Sequence, residues 1–254
     1  MTSGTSGPLP RVALITGGAA GLARGIAVAL ARAGRRVAFT YRPDGTPPET
    51  TLGLVRAYDP EAVAIPADFL DPGAAQNAVD ACEKAAGPVD VLVHAVGPIV
   101  LKRFARSTAD DYAAMIEGNL GSAVALAAAV LPGMRERHFG RLVFFGMNGS
   151  SVTRPARGMA LYGAAKAAVV TFARALALEE AAAGISVNVI EPGDIRDKNA
   201  GRDAARAVAA SNPTGHAGSW EDIAAAVTFA TGDDAGFLNG MIIGVHGGLP
   251  EPHE

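Results

Sequence analysis

Short apolar runs alternate with helical patterns along nearly the whole chain. Seven of the runs are mostly apolar rather than apolar at every second position, which is typical of strands buried on both faces. These runs cover residues 11–16, 37–41, 62–65, 89–93, 141–145, 185–190 and 241–245. Helical patterns lie between them at residues 21–33, 50–57, 73–86, 110–137, 161–183 and 221–231. The alternation predicts a doubly wound α/β fold, with a mainly parallel seven-stranded sheet and helices on both faces.

No linker, repeat or low-complexity block divides the chain, so residues 11–248 are predicted to form a single domain. Residues 1–10 contain no basic segment followed by an apolar run, and we expect a flexible tail rather than a secretory signal. Residues 249–254 are expected to form a C-terminal tail. Residues 194–218 follow the sixth strand and are rich in Asp, Arg, Asn and Gly. Because ligands bind outside the carboxyl ends of such strands, this segment is interpreted as a substrate lid, with a mobile loop as the alternative.

A glycine-rich turn joins the first strand to the first helix. It contains Thr16, Gly17, Gly18, Gly21 and Leu22. Gly17 and Gly21 allow the backbone to approach a pyrophosphate, whose charge is stabilised by the amides at the helix N-terminus. The position between a strand and a helix favours a dinucleotide site over a tight turn without a ligand.

The residues after the second and third strands bear on the choice of dinucleotide. Tyr41 and Arg42 end the second strand, where an NAD enzyme usually carries an acidic residue for the ribose hydroxyls. An arginine there can pair with a 2′-phosphate, so NADP(H) is preferred over NAD(H), and a surface role for Arg42 is the alternative. Asp68 and Phe69 follow the third strand. Asp68 is in a position either to accept a hydrogen bond from the adenine amino group or to cap the next helix.

One pair of side chains suggests proton transfer. Tyr162 and Lys166 lie four residues apart in an alanine-rich helical pattern, which places them on one face of the helix. A lysine ammonium beside a phenol stabilises the phenolate, so the tyrosine is expected to exchange a proton nearer neutral pH. The spacing alone is a weak signal, and the dinucleotide turn upstream gives it weight.

These features together resemble the short-chain dehydrogenase/reductase family in its classical type, from about residue 11 to residue 248. Residues 16–23 resemble the family's Thr-Gly-x-x-x-Gly-x-Gly motif, and residues 94–97 are similar to its Asn-Asn-Ala-Gly segment. Asn119 and the tyrosine–lysine pair look like members of its catalytic tetrad, and residues 192–193 resemble its Pro-Gly turn beside the nicotinamide. The motifs occur in the family's order. The resemblance implies a Rossmann-like fold.

The resemblance also implies a reaction, which is hydride transfer between a nicotinamide and a small carbonyl or alcohol substrate. Tyr162 would act as the acid or base, Lys166 would lower the tyrosine pKa and hold the nicotinamide ribose, and Asn119 would anchor a water that links Lys166 to solvent. The cofactor contacts that it implies, besides Tyr162 and Lys166, are Ala95, Val96, Gly97, Pro192, Gly193 and Ile195. The alternative is a non-catalytic NADP(H) sensor. A methyltransferase would leave Tyr162 and Lys166 unexplained.

The chain departs from the family where a serine should face the tyrosine. Counting back 13 residues from the tyrosine reaches Gly149, whereas counting forward from the fifth strand reaches Met147. Ser150 and Ser151 follow immediately and are the candidates for the missing hydrogen-bond donor. Asn148, or no replacement, is the alternative. Losing such a donor costs about a hundredfold or more in rate.

Three further departures are smaller. Ala23 stands at the third glycine of the cofactor motif, which the general dinucleotide pattern tolerates. His94 replaces an asparagine, and we expect it to have a structural role. Arg196 replaces a threonine that often binds the carboxamide, and it opens a charged lid that suits either a polar substrate or a solvated loop.

The overall composition of the chain limits the classes of binding partner that we expect. The 254 residues carry a formal charge of −3, which leaves no basic field for nucleic acid. The most apolar stretch, residues 123–131, is too short to span a membrane. A single cysteine fits the cytoplasm, and five scattered histidines predict no metal site. The long apolar helices at 110–137 and 161–183 favour a homodimer or homotetramer, as in the family.

Overall fold

All seven predicted strands form one parallel sheet. The computed structural model describes residues 10–152, 154 and 156–248, so the predicted tails lie outside the described residues except for Pro10. The strands are β1 (Val12–Ile15), β2 (Arg36–Tyr41), β3 (Val63–Pro66), β4 (Val89–His94), β5 (Gly140–Phe145), β6 (Ile185–Pro192) and β7 (Ile242–Val245). Their order across the sheet is β3-β2-β1-β4-β5-β6-β7, and every neighbouring pair is parallel. The sheet confirms the doubly wound prediction and is wholly rather than mainly parallel.

Eight α-helices connect these strands within the described residues. They are α1 (Gly21–Arg32), α2 (Glu49–Arg56), α3 (Ala74–Ala86), α4 (Ala109–Ile116), α5 (Ser122–Glu136), α6 (Ala160–Glu180), α7 (Arg202–Arg206) and α8 (Trp220–Ala230). The predicted helix at 110–137 is two helices, because a π-helical turn at Glu117–Gly121 separates α4 from α5. The short helix α7 lies inside the segment 194–218 and was not predicted.

Each face of the sheet has its own apolar core. Residues spaced one helical turn apart, such as Ile26 and Leu30 of α1, pack on one face together with α2 and α8. Leu126 and Val130 of α5 pack on the opposite face together with α3 and α6. Strands β4 and β5 are buried along their whole length, as strands covered by helices on both sides must be. Full burial of such a side chain contributes about 1.5–3 kcal/mol.

The strand order reverses between β1 and β4, and the loops after these two strands meet there. The Thr16 amide donates to the carbonyl oxygen of Val93, 3.0 Å away. The Thr16 hydroxyl accepts hydrogen bonds from the amides of Ala95 and Val96, at 2.9 and 3.0 Å. The fold therefore places a ligand crevice at the carboxyl ends of β1 and β4.

Two helical segments, Ala109–Glu136 and Ala160–Ala183, are long and apolar enough to cross a membrane. This is weak evidence, because a core helix of a soluble protein passes the same test. Here the two segments contribute Leu126, Val130 and Val169 to the core against the sheet.

Candidate active site

A cavity of about 580 Å³ opens at the carboxyl ends of the central strands. Loops after β1, β4, β5 and β6 and the start of α6 form its walls. Among the predicted site residues, its lining contains Leu22, Ala95, Gly97, Tyr162, Lys166, Pro192, Gly193 and Ile195. Helix α6 and the loops after four different strands therefore bring the predicted proton-transfer pair and most of the predicted nicotinamide contacts to one place.

Helix α6 holds Tyr162 and Lys166 one turn apart, as the spacing predicted. The Lys166 ammonium is buried, lies 5.7 Å from the centre of the Tyr162 ring and donates a 2.8 Å hydrogen bond to the Phe145 carbonyl oxygen. Burial, together with the charge of Lys198, lowers the pKa of Lys166 from 10.5 to about 8. A lysine with this pKa exchanges protons close to neutral pH.

The pKa of Tyr162 moves in the opposite direction to the one expected from its spacing to Lys166. Burial disfavours the phenolate and raises the pKa of the Tyr162 hydroxyl above its ordinary value. The protein alone therefore holds Tyr162 as a neutral phenol. A raised pKa makes this phenol a weaker acid than an ordinary tyrosine, so proton transfer from it depends on groups that stabilise the phenolate.

Asn119 lies in the π-helical turn, a local widening of the helix that recurs at functional sites. Its side-chain nitrogen donates to the carbonyl oxygens of Met115 and Pro98, at 2.9 and 3.1 Å, while its Oδ1 is buried without a hydrogen-bond partner. A Cβ added to Gly97 would lie 2.4 Å from this Oδ1 and 3.0 Å from the Lys166 Nζ. Gly97, Asn119 and Lys166 thus meet so closely that only glycine fits between them.

The glycine turn after β1 has the shape of a phosphate cradle. Gly17 and Gly21 have φ of +69° and +59°, in the left-handed region that favours glycine. The amides of Gly17 and Gly18 donate to Thr40 of β2, which fixes the turn to the sheet. Helix α1 has Ala20 at its N-cap with no side-chain cap, so its first-turn amides are available to an anion.

Arg42 and Asp68 each interact with a residue two positions further along the chain. The Arg42 Nε lies 2.8 Å from the Asp44 carboxylate, and the arginine side chain is 57% exposed. Asp68 accepts a 3.1 Å hydrogen bond from the Leu70 amide. The alternative of Asp68 as a helix cap is wrong, because the next helix begins only at Ala74. Tyr41 ends β2 and Phe69 packs against the core; none of these four predicted residues lines the cavity.

Ser150 and Ser151 direct their hydroxyls at the carboxylate of Glu191. The Ser150 Oγ donates to Glu191 Oε1 at 2.6 Å, and the Ser151 Oγ donates to Oε2 at 3.1 Å. A hydroxyl carries only one proton, so both serine protons are used in these bonds. Neither serine lines the cavity, whereas Met147 and Asn148 do. The serine assignment therefore stays a prediction without support from this geometry.

His94 has the structural surroundings that its position at the end of β4 suggested. It is buried, and its Nε2 lies 2.8 Å from the Ser122 Oγ, whose proton goes to the Gly118 carbonyl oxygen. Burial and the charge of Lys166 lower the pKa of His94 to about 3, so the ring is neutral. Through Ser122 it links β4 to the π-helical turn that carries Asn119.

The chain is similar in sequence and fold to known proteins. Residues 17–250 match the family model described as enoyl-(acyl carrier protein) reductase, which is a model of short-chain dehydrogenases/reductases. The chain belongs to the short-chain dehydrogenase/reductase family. It is therefore an oxidoreductase.

Individual members of this family align with the chain over almost its full length. It is 35% identical to the acetoacetyl-CoA reductase of Shinella zoogloeoides, covering 94% of this chain and 98% of the relative. It is 29% identical to the 3-oxoacyl-(acyl-carrier-protein) reductase of Salmonella typhimurium, covering 94% and 97%. The solved short-chain dehydrogenase/reductase of Serratia marcescens superposes with a TM-score of 0.83 at 28% identity, covering 95% and 99%.

Several cavity residues of this short-chain dehydrogenase/reductase were not among the predicted site residues. Arg154 and Lys198 line the cavity from the loop after β5 and from the segment 194–218. The charged start of that segment was visible in the sequence, but nothing showed which of its side chains faces the cavity. Among the described residues, no group of three or more His, Cys, Asp or Glu side chains lies close enough to hold a metal.

Proposed function

We propose that this short-chain dehydrogenase/reductase reduces a carbonyl compound with NADPH, with Tyr162 as the proton donor. The observation that carries the proposal is the packing of Gly97 against Asn119 and Lys166 beside the Tyr162 cavity. A buried lysine of lowered pKa and an asparagine oxygen without a partner form a proton route that a structural core would not need.

The residues around the cavity fit a nicotinamide dinucleotide, which supplies a hydride when bound. The glycine turn and the uncapped α1 N-terminus would hold its pyrophosphate. Ala95, Val96 and Gly97 would approach the ribose, and Pro192, Gly193 and Ile195 would hold the nicotinamide. The Asn119 Oδ1 is buried without a hydrogen-bond partner, so it is available to accept a hydrogen bond from a water bound beside the cofactor.

The protein's own part in the reaction is to deliver a proton to the substrate oxygen. The Tyr162 hydroxyl carries the proton that is to be donated; burial raises its pKa, and the Lys166 ammonium beside it would stabilise the phenolate that forms. Lys166 would also hold the ribose through its Nζ and, with a pKa of about 8, would resupply the proton. Asn119 Oδ1 orients the water that carries the proton from solvent.

NADPH is proposed over NADH because Arg42 stands at the end of β2. Its guanidinium is exposed and already paired with Asp44, so it has to turn from that carboxylate to reach a 2′-phosphate. Replacing Arg42 by Gln is expected to raise the KM for NADPH and to leave the KM for NADH unchanged. Equal effects on both cofactors would contradict the assignment.

A 3-oxoacyl thioester is the proposed substrate class. Similar proteins are named as reductases of acetoacetyl-CoA and of 3-oxoacyl-(acyl-carrier-protein), whose carriers are anionic. Arg154 and Lys198 line the cavity here and supply positive charge for such a carrier. We propose that the segment 194–218, which carries Lys198, is the substrate lid.

The test is oxidation of NADPH by the purified protein in the presence of acetoacetyl-CoA. Tyr162→Phe is expected to lose turnover while NADPH still quenches protein fluorescence to the same extent. Tyr112→Phe is the matched control, because Tyr112 lies on α4 with 55% of its surface exposed. Full activity of Tyr162→Phe would refute the proposed mechanism.

The second candidate function is that of a sensor, which binds NADP(H) without catalysing a reaction. It is favoured by the two serine hydroxyls, which are occupied at Glu191 and leave the cavity without the family's donor. Tight NADPH binding with no turnover of any carbonyl or alcohol would support it.

We also propose a homodimer or homotetramer in the cytoplasm. Exposed apolar side chains on α5 and α6, Val124 and Leu178, favour such an assembly. Light scattering on the purified protein tests the assembly, and a monomeric mass would contradict it.

A further inference from the structure

The loop after β5 is built around one buried carboxylate. Glu191 lies in β6, is 3% exposed, and accepts four hydrogen bonds from this loop. The donors are the Ser150 and Ser151 hydroxyls, at 2.6 and 3.1 Å, the Ser151 amide at 2.8 Å and the Gly149 amide at 3.3 Å. A buried carboxylate is costly unless it is hydrogen-bonded, so these four donors specify where the loop sits.

Two glycines allow the loop to approach the carboxylate. A Cβ on Gly146 would lie 2.7 Å from the Ser150 Oγ and 3.0 Å from the Glu191 Cγ. Gly149 has a φ of +85°, and a Cβ there would lie 2.8 Å from that of Arg154. The Ser150 hydroxyl also accepts a 3.1 Å hydrogen bond from the Met147 amide, which closes the loop on itself. The loop conformation is therefore fixed from both ends.

This conformation decides which side chains reach the cavity. The serines point at Glu191, and the preceding residues, Met147 and Asn148, line the cavity together with Tyr162. Met147 offers only a thioether, which is a weak acceptor and no donor. Asn148 offers an amide with two N–H donors, and its Oδ1 is buried without a hydrogen-bond partner. Asn148 and Arg154 are thus the donor-bearing side chains with which this loop lines the cavity, and Asn148 is the one directly joined to the anchored residues 149–151.

We propose that the Asn148 side-chain amide donates the hydrogen bond that polarises the substrate carbonyl, and that Glu191 positions it by anchoring residues 149–151. Asn148 would be a catalytic residue and Glu191 a positioning residue. The inference rests on the proposed carbonyl reduction at Tyr162. It explains how the site works without a serine at the family's position, because a neutral N–H donor stabilises the developing negative charge on the oxygen as a hydroxyl would.

The experiment measures NADPH-dependent reduction of acetoacetyl-CoA and, separately, the NADPH dissociation constant by fluorescence. Asn148→Ala is expected to lower kcat by about a hundredfold or more, the usual cost of an oxyanion donor, with the NADPH dissociation constant unchanged. Asn77→Ala, on the exposed face of α3, is the matched control and is expected to behave as wild type. Ser151→Ala removes one of the four hydrogen bonds to Glu191, and we expect it to lower kcat far less than Asn148→Ala does.

The role of Glu191 is tested by a double-mutant cycle. Glu191→Gln keeps the shape but turns one acceptor into a donor that faces the loop donors, so kcat should fall while the NADPH dissociation constant stays constant. If Glu191 acts through Asn148, adding Glu191→Gln to Asn148→Ala should cost little more than Asn148→Ala alone. A purely structural carboxylate would instead give the full additional loss in both backgrounds.

The outcomes separate this inference from the proposed function. Activity of Asn148→Ala within about threefold of wild type, when Tyr162→Phe is inactive, overturns the inference and leaves the proposed reaction standing. A loss for Ser151→Ala as large as that for Asn148→Ala also overturns it, in favour of the serine. Full activity of Tyr162→Phe would overturn the proposed function itself.

Discussion

Gly97→Ala is the substitution that most directly tests the proton route. The added Cβ would lie 2.4 Å from the Asn119 Oδ1 and 3.0 Å from the Lys166 Nζ. Gly97 does not have a positive φ, so alanine brings no backbone strain and the perturbation is purely steric. Asn119 cannot move aside easily, because its Nδ2 is bonded to Met115 and Pro98.

The size of the effect follows from these distances. A carbon and an oxygen in ordinary contact are separated by about 3.4 Å, so the Asn119 side chain or the loop has to shift by about 1 Å. A misplacement of about 1 Å at a catalytic constellation costs about a hundredfold in rate. The overpacking itself is expected to destabilise the fold by only about 1–3 kcal/mol. Gly97→Ala should therefore fold and yet turn over about a hundredfold more slowly.

The assay is kcat for NADPH oxidation with acetoacetyl-CoA, alongside urea unfolding and the NADPH dissociation constant. Gly53→Ala is the matched control, because a Cβ on this exposed glycine of α2 meets nothing within 4 Å. It should keep full activity and gain up to about 1 kcal/mol of stability from its better helix propensity. Activity of Gly97→Ala within about threefold of the control, in a folded protein, would refute the packing argument.

Three further changes test neighbouring parts of the site. Thr16→Val keeps the shape but leaves two partly buried amides without their acceptor, so urea unfolding should show a loss of about 1 kcal/mol or more; an unchanged midpoint would count against this. Lys198→Gln removes a charge that lowers the pKa of Lys166, so the alkaline limb of the kcat/KM profile should move to higher pH, and a downward move would be the wrong sign. Asp44→Asn releases Arg42 from an exposed ion pair, so NADPH should bind up to about fivefold more tightly with NADH unaffected; weaker NADPH binding would oppose the proposed contact.

The fold was predictable from the sequence because strands buried on both faces are mostly apolar at consecutive positions. The seven runs correspond to β1–β7, with boundaries that differ by at most two residues. The break in the helix at 110–137 was not predictable in this way, since one π-helical turn barely disturbs the apolar period. That turn nonetheless sets the position of Asn119, so a feature invisible in the pattern determines part of the site.

The pKa values show a second limit of reasoning from spacing. The four-residue separation placed Tyr162 and Lys166 correctly, because it follows from helix geometry alone. It could not give the direction of the tyrosine pKa, which depends on how much water each group loses. Burial acts on both groups and favours the neutral form of each, so it raises the pKa of Tyr162 and lowers that of Lys166.

Two parts of the site differ in how well the sequence predicts their structure: the surroundings of Tyr162 and Lys166, and the loop after β5. Around Tyr162 and Lys166, Gly97 packs so closely that a Cβ added to it would overlap Asn119 and crowd Lys166. The family motifs in the sequence therefore correctly predicted that these three residues lie together in the structure. On the substrate side, the loop after β5 is specified by Glu191, which lies about 40 residues further along the chain and has no periodic signal. Counting residues back from Tyr162 cannot find such an anchor, and for that reason the sequence favoured the serines, whereas in the structure Asn148 lines the cavity and the serines do not.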